Sequence, residues 1–148
     1  MPPAPHRVDS RGPRFGAWIT TVVLAVALLT ASGPLLAAQT VVFALGAFAG
    51  LRYAPYGVLY RRLVAPRLSP PTEFEDAAPP RFAQAVGFVF AAVGTVGYLA
   101  GVPALGHTAT ALALIAAFLN AAFDFCLGCE LYLLIKRLTT RSAPSLTQ

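Results

Sequence analysis

Charge is what this chain has least of: 11 Lys and Arg and 6 Asp and Glu among 148 residues. Soluble domains carry about 25% charged residues. The 11% found here, beside 57% hydrophobic residues, excludes a protein whose only solvent is water. Cysteine is equally sparse. Two Cys in a single motif, among long apolar segments, exclude the Cys-dense framework of a small secreted domain. Of the two His, His107 falls in an expected turn and takes no role.

What remains is four apolar stretches, Phe15–Ala31, Leu35–Leu51, Phe82–Gly101 and Leu105–Ile135. Each is close to or above the roughly 17–25 residues a spanning helix needs, and in hydrocarbon the backbone has no alternative to helix. Ser32-Gly33-Pro34 joins the first pair, and Gly101-Val102-Pro103 through Gly106-His107 joins the second, so each pair forms a helical hairpin. The expected fold is an all-α membrane protein, a four-transmembrane-helix bundle of two helical hairpins. Its divisions are a basic N-terminus over 1–14, a first hairpin over 15–51, a loop over 52–81, a second hairpin over 82–135 and a tail over 136–148. The first apolar run lacks a clean small-x-small cleavage site and reads as a retained helix, not a signal peptide.

Every Lys and Arg falls on one side of this arrangement. Arg7, Arg11 and Arg14 precede the first helix; Arg52, Arg61, Arg62, Arg67 and Arg81 lie in the loop; Lys136, Arg137 and Arg141 follow the last helix. Neither hairpin turn carries a charge. The positive-inside bias therefore places both termini and the loop in the cytoplasm, with the chain in the cell inner (cytoplasmic) membrane. The net charge of +5 reads as contact with the lipid bilayer and not with nucleic acid.

Within the loop, Tyr56, Leu59, Tyr60, Leu63 and Val64 recur at helical spacing between Pro55 and Pro66 and predict a short interfacial helix. From Ser69 to Pro80 the loop is acidic and Pro-rich, a linker or a dock for a soluble partner. Thr72 to Glu75 fits a capping box, whose helix Pro79 and Pro80 would stop. The pairs Gly46 and Gly50, Gly94 and Tyr98, and Gly97 and Gly101 suggest close helix packing.

Chemistry concentrates in the last apolar stretch, which holds Asn120, Asp124, Cys126, Gly128, Cys129 and Glu130. As one continuous helix, three- and four-residue spacing puts Cys126, Cys129 and Glu130 on one face and Asn120, Asp124 and Gly128 on another, with the cluster in the cytoplasmic half of the bilayer. Ionisable groups on two faces require this helix to be the most enclosed or to lie in a homo-oligomer interface. It exceeds the length a 30 Å core requires, and Gly128 is the expected break. The candidate site residues are Cys126, Cys129, Glu130 and Asp124. Thiols three residues apart can form a disulfide, which facing a reducing cytosol should rest reduced, or share a soft metal. Reactivity needs a thiolate, hence water access, a helix N-terminus or a nearby cation. Two buried Cys also serve as simple packing residues.

Phe125-Cys-Leu-Gly-Cys-Glu130, with Val8 to Phe15, the loop from Pro66-Arg67-Leu68 to Pro80-Arg81-Phe82, and Phe118 to Phe123, resembles an uncharacterised bacterial integral membrane family, the domain of unknown function DUF4395. That resemblance implies a neighbourhood of thioredoxin-like and sulfurtransferase proteins, and hence thiol or sulfur chemistry. Three readings follow: a thiol-redox or sulfur-handling component in which Cys126 and Cys129 react and Glu130 manages protons; a carrier of soft metal or sulfur anions through Cys126, Cys129, Glu130 and Asp124; or a non-catalytic partner subunit of such a cytoplasmic protein. No cofactor is called for under the first, and a metal is bound only under the second.

Overall fold

Proline sits in the first turn of the helices that begin at Gly33, Pro55, Ala78 and Pro103, glycine stops the helix over Gly33–Ala49, and two non-glycine residues in the left-handed region, Ala31 and Asp124, end the helices before them. The computed structural model describes residues 7–142; residues 1–6 and 143–148, the outer ends of the expected N-terminal segment and tail, lie outside it. Helix α1 (Arg11–Thr30) ends where Ala31 turns left-handed at φ 50°. Ser32 then caps α2 (Gly33–Ala44), its Oγ accepting the Leu35 N–H, and Pro34 occupies the first turn, where its missing N–H costs nothing. A wider π turn, Leu45–Ala49, continues α2 to Gly50, whose φ of 112° stops it. A short helix does form where the sequence predicts one, as α3 (Pro55–Leu59), extended by turns over Tyr60–Val64 and Ala65–Arg67. Tyr56 Oη donates to Oε1 of buried Gln39, tying α3 to α2.

The acidic part of the loop corrects the expectation. Phe74–Asp76 forms no capped helix but a strand, β2, paired antiparallel with β1 (Arg7–Asp9), so the mostly helical chain carries a small two-stranded ribbon. Pro79 and Pro80 start α4 (Ala78–Leu99) instead of stopping a helix, because proline suits a first turn as well as it breaks a later one. Helix α5 (Pro103–Phe123) follows, and α6 (Leu127–Ser142) closes the described chain.

The bundle is built by α1 on α5, α2 on α4 and α4 on α5. Leu24, Ala27, Leu36, Phe43, Ala91 and Ala113 make its core. The outer faces expose Val22, Leu29, Val41, Val96, Leu99 and Ile115, an apolar belt of the kind soluble monomers do not present. Helices α1, α4 and α5 are long and apolar enough to cross a membrane; the apolar helix over Gly33–Ala49 is shorter. Close packing holds for Gly97, where a Cβ would meet the Gly106 nitrogen at 2.6 Å. Gly50 and Gly101 have open space around them and serve turns with positive φ.

Two arginines fix which helix ends lie together. Arg14, at the start of α1, donates to the Ala121 and Ala122 carbonyls at 2.9 and 3.4 Å, and Arg81, at the start of α4, donates to those of Ala47 and Phe48 at 2.6 and 3.1 Å. Each satisfies carbonyls that a helix C-terminus leaves unpaired. The starts of α1 and α4 and the ends of α2 and α5 thus share one end of the bundle.

These contacts belong to an internal two-fold correspondence. Pro13-Arg14-Phe15 recurs as Pro80-Arg81-Phe82. The ribbon is centred on the Val8 and Glu75 pair. Asp9 Oδ1 accepts the Arg11 N–H and Asp76 Oδ1 the Ala78 N–H, both at 3.0 Å. The Phe15 and Tyr60 rings lie 5.6 Å apart at 51°, and the Phe82 and Tyr132 rings 5.6 Å apart at 52°. Each half is a strand, two antiparallel helices, a break and a further helix, so that α3 corresponds to α6.

Candidate functional site: a cysteine pair at a helix start

The expected break lies earlier than Gly128 and for a different reason. Asp124 adopts the left-handed region at φ 54°, and its N–H and that of Phe125 both return to the Leu119 carbonyl, ending α5. Asp tolerates this conformation better than most non-glycine residues. The single long helix of the sequence reading is therefore two, and its division into two polar faces does not hold. Asp124 is exposed at the break instead of enclosed, and Cys126, Cys129 and Glu130 belong to the start of α6.

Gly128 is a packing residue. A Cβ there would stand 2.6 Å from both Cα and Cβ of Ala83, so the first turn of α6 lies directly on α4. This contact seats the cysteines. Cys126 occupies the N-cap position: its carbonyl accepts the Glu130 N–H at 3.0 Å, and its Sγ accepts the Cys129 N–H at 3.1 Å. The two sulfurs form a disulfide, S–S 2.18 Å with Cα atoms 5.1 Å apart, where the sequence leads to the expectation of a reduced pair. Both residues are half-buried, and Glu130 is exposed in the first turn.

All four candidates, Cys126, Cys129, Glu130 and Asp124, line one crevice of about 570 Å³ between α6 and the starts of α1 and α4. Asn120 lines it as well and is half-buried. Two further residues escaped the sequence reading. Glu75 is brought in by the ribbon, and burial first, then the negative charge of Asp124, pushes its carboxyl above the usual range. Arg14 is the cation of the crevice and caps α5 at the same time. The recurring Pro-Arg-Phe was the available signal for Arg14; Glu75 had none, since its placement depends on a pairing across most of the chain. Among the described residues no group of three or more His, Cys, Asp or Glu is arranged to hold a metal ion.

A profile of the family described as domain of unknown function (DUF4395) matches residues 8–137. The chain belongs to that family. The DUF4395 match runs from Val8 in β1 to Arg137 in α6, and so takes in β2, helices α1 to α5 and the cysteine pair. No curated protein and no solved structure matches the chain.

Proposed function

We propose that this DUF4395 member is a four-span inner-membrane thiol–disulfide component, both ends cytoplasmic, with Cys126 as attacking and Cys129 as resolving thiol. The observation that carries the reading is the hydrogen bond from the Cys129 N–H to Cys126 Sγ at the N-terminus of α6. Amide donors and the helix dipole at this position favour a thiolate on Cys126 once the pair is reduced.

The step balances with a cytoplasmic thioredoxin-like protein as partner. Cys126 thiolate attacks the partner's disulfide; a mixed disulfide forms and the partner's leaving sulfur takes a proton. Cys129 loses its proton to a crevice carboxylate, Glu130 or Glu75, and attacks Cys126 Sγ. The internal disulfide forms, and the partner leaves as a dithiol carrying two electrons; run backward, the partner's dithiol reduces the pair. With a sulfurtransferase persulfide, the same Cys126 thiolate would attack the outer sulfur, the donor's S–S bond would break, and the donor cysteine would leave as a thiolate, with no net oxidation. The apolar belt, the arginines gathered at one bundle end and the uncharged turns at the other support four spans with this end in the cytosol.

The test is trapping in intact cells. Cys129→Ser accumulates a mixed disulfide through Cys126, and Cys126→Ser gives none; reporters at both termini read cytoplasm. Equal behaviour of the two variants, with thiols inert to oxidant and sulfur donor alike, leaves a non-catalytic subunit as the reading.

A further inference from the structure

The two-fold correspondence places a second crevice in the first half, where the thiol crevice lies in the second. Val58 N–H donates to the Ala54 carbonyl at 3.0 Å, as Glu130 N–H does to Cys126, so Ala54 and Gly57 stand where Cys126 and Cys129 stand. Gly16 faces Tyr56 on α3 as Ala83 faces Gly128 on α6. The first-half crevice measures about 750 Å³, within the range of small-molecule sites. Its chemistry is inverted. The thiol crevice is rich in carboxylates, Glu75, Asp124 and Glu130 among them, whereas this one is lined by Arg7, Arg52, Arg61 and Arg81. Asp9 is its only carboxylate and is already held by Arg11, the sole ion pair among the described residues, and by Tyr60.

From this we infer that the first-half crevice is a binding site for the phosphate of an anionic amphiphile. Guanidinium groups recognise phosphate by charge and by paired N–H donors. Arg61 donates to the Arg52 backbone carbonyl, and the Arg52 guanidinium lies over the Tyr53 ring, 5.9 Å from its centroid. Val42, Leu51 and the Tyr53 and Tyr56 rings line the crevice with apolar surface for the remainder of an amphiphile. Basic pockets at the cytoplasmic ends of spanning helices take lipid headgroups. Assignment of the phosphate to a phospholipid rests on the four-span reading; the anion site itself does not.

The experiment uses the full chain purified in a neutral maltoside detergent and native mass spectrometry. Probes are phosphatidylglycerol, phosphatidylcholine with the same acyl chains, and inorganic phosphate. Wild type retains phosphatidylglycerol over phosphatidylcholine by about tenfold or more, R52Q/R61Q falls to parity, and R52K/R61K keeps most of the preference. The Cys126–Cys129 disulfide is reduced at the same rate in all three, which shows that the bundle is intact. Preference for phosphatidylglycerol that millimolar phosphate does not displace upholds the amphiphile; arginine-dependent binding of phosphate without a lipid preference overturns the amphiphile and keeps the anion site, for a soluble phosphate ester. Absence of any arginine-dependent anion binding overturns both. Whether the chain leaves membranes only with detergent, scored in the same preparation, reports separately on the four-span reading.

Discussion

Gly128 rests on Ala83 so closely that a side chain at Gly128 has no room: a Cβ would meet Ala83 Cα and Cβ at 2.6 Å. Half of this obstacle is backbone, which cannot swing aside. Gly128→Ala should therefore lift the first turn of α6 from α4, at a cost of about 1–3 kcal/mol. The readouts are thermal unfolding in detergent and the rate at which the reduced cysteines are alkylated, which should rise. Adding Ala83→Gly removes one of the two clashing atoms and should recover part of the loss. A Gly128→Ala protein with unchanged stability and alkylation would mean that α6 does not pack as described.

Asp124 offers a test of conformation against charge. Its left-handed φ of 54° suits Gly and Asn and penalises Leu, by about 1–2 kcal/mol. Asp124→Gly and Asp124→Asn should keep wild-type stability while Asp124→Leu loses it, each measured by thermal melting. If all three variants lose stability equally, the carboxylate and not the turn is what Asp124 supplies.

Glu75 ionises against burial and against Asp124, with Asp76, Glu130 and Arg14 also facing the crevice. Its folded-state pKa lies above its unfolded value. Ionisation therefore costs stability as pH rises through the ordinary carboxylate range, fully so above the folded value and not at all below the unfolded one. Glu75→Gln should be more stable than wild type at neutral pH and equal to it in acid, by denaturation at several pH values. If Glu75 also accepts the Cys129 proton, the same variant resolves mixed disulfides more slowly near neutrality, which stopped-flow mixing with a reduced pair would register.

Asp9 carries the opposite sign. Burial works to raise its carboxyl, but hydrogen bonds from Arg11 and Tyr60 outweigh it and hold the group below the ordinary range. Its contribution is present above the unfolded value of about 4 and is lost as pH falls through the folded one. Tyr60→Phe, which removes one of these donors, should cost about 0.5–1.5 kcal/mol at neutral pH and less in acid. A loss that does not shrink in acid would place the effect in packing against Phe15 instead.

How much of this was legible in the sequence depended on distance along the chain. The apolar segments, the short turns and α3 follow from local period and from Pro and Gly, and they are present. The ribbon was not legible, because Phe74–Asp76 has no strand partner nearer than Arg7–Asp9. The site was half legible. Cys126 and Cys129 were found by spacing, but the apolar period runs across Asp124 without a Gly or Pro to mark the turn, so one helix was expected where two exist. Gly128 drew the break for the usual reason, conformational freedom, when what it provides is the absence of a Cβ.

The internal correspondence makes the most specific prediction. Ala54 occupies the N-cap position of α3, in extended backbone at φ −63° and ψ 127° and with no side-chain cap, as Cys126 occupies that of α6, and Gly57 stands one turn on, as Cys129 does. If the two halves share one local geometry, thiols placed there should fall within bonding reach. In a Cys126→Ser and Cys129→Ser background, Ala54→Cys with Gly57→Cys should form an internal disulfide under mild oxidant, detected as a loss of two alkylation sites by mass spectrometry. The one tight contact is the Leu51 carbonyl, 3.3 Å from a Cβ at Gly57, which requires a shift of a few tenths of an ångström. A control pair, Ala54→Cys with Val58→Cys, keeps the same helix but moves the second thiol one position around the axis, and it should oxidise more slowly. Equal rates for the two pairs would show flexible α3 chemistry without the correspondence, and no disulfide in either would show that the N-cap geometry of α6 is not repeated in α3.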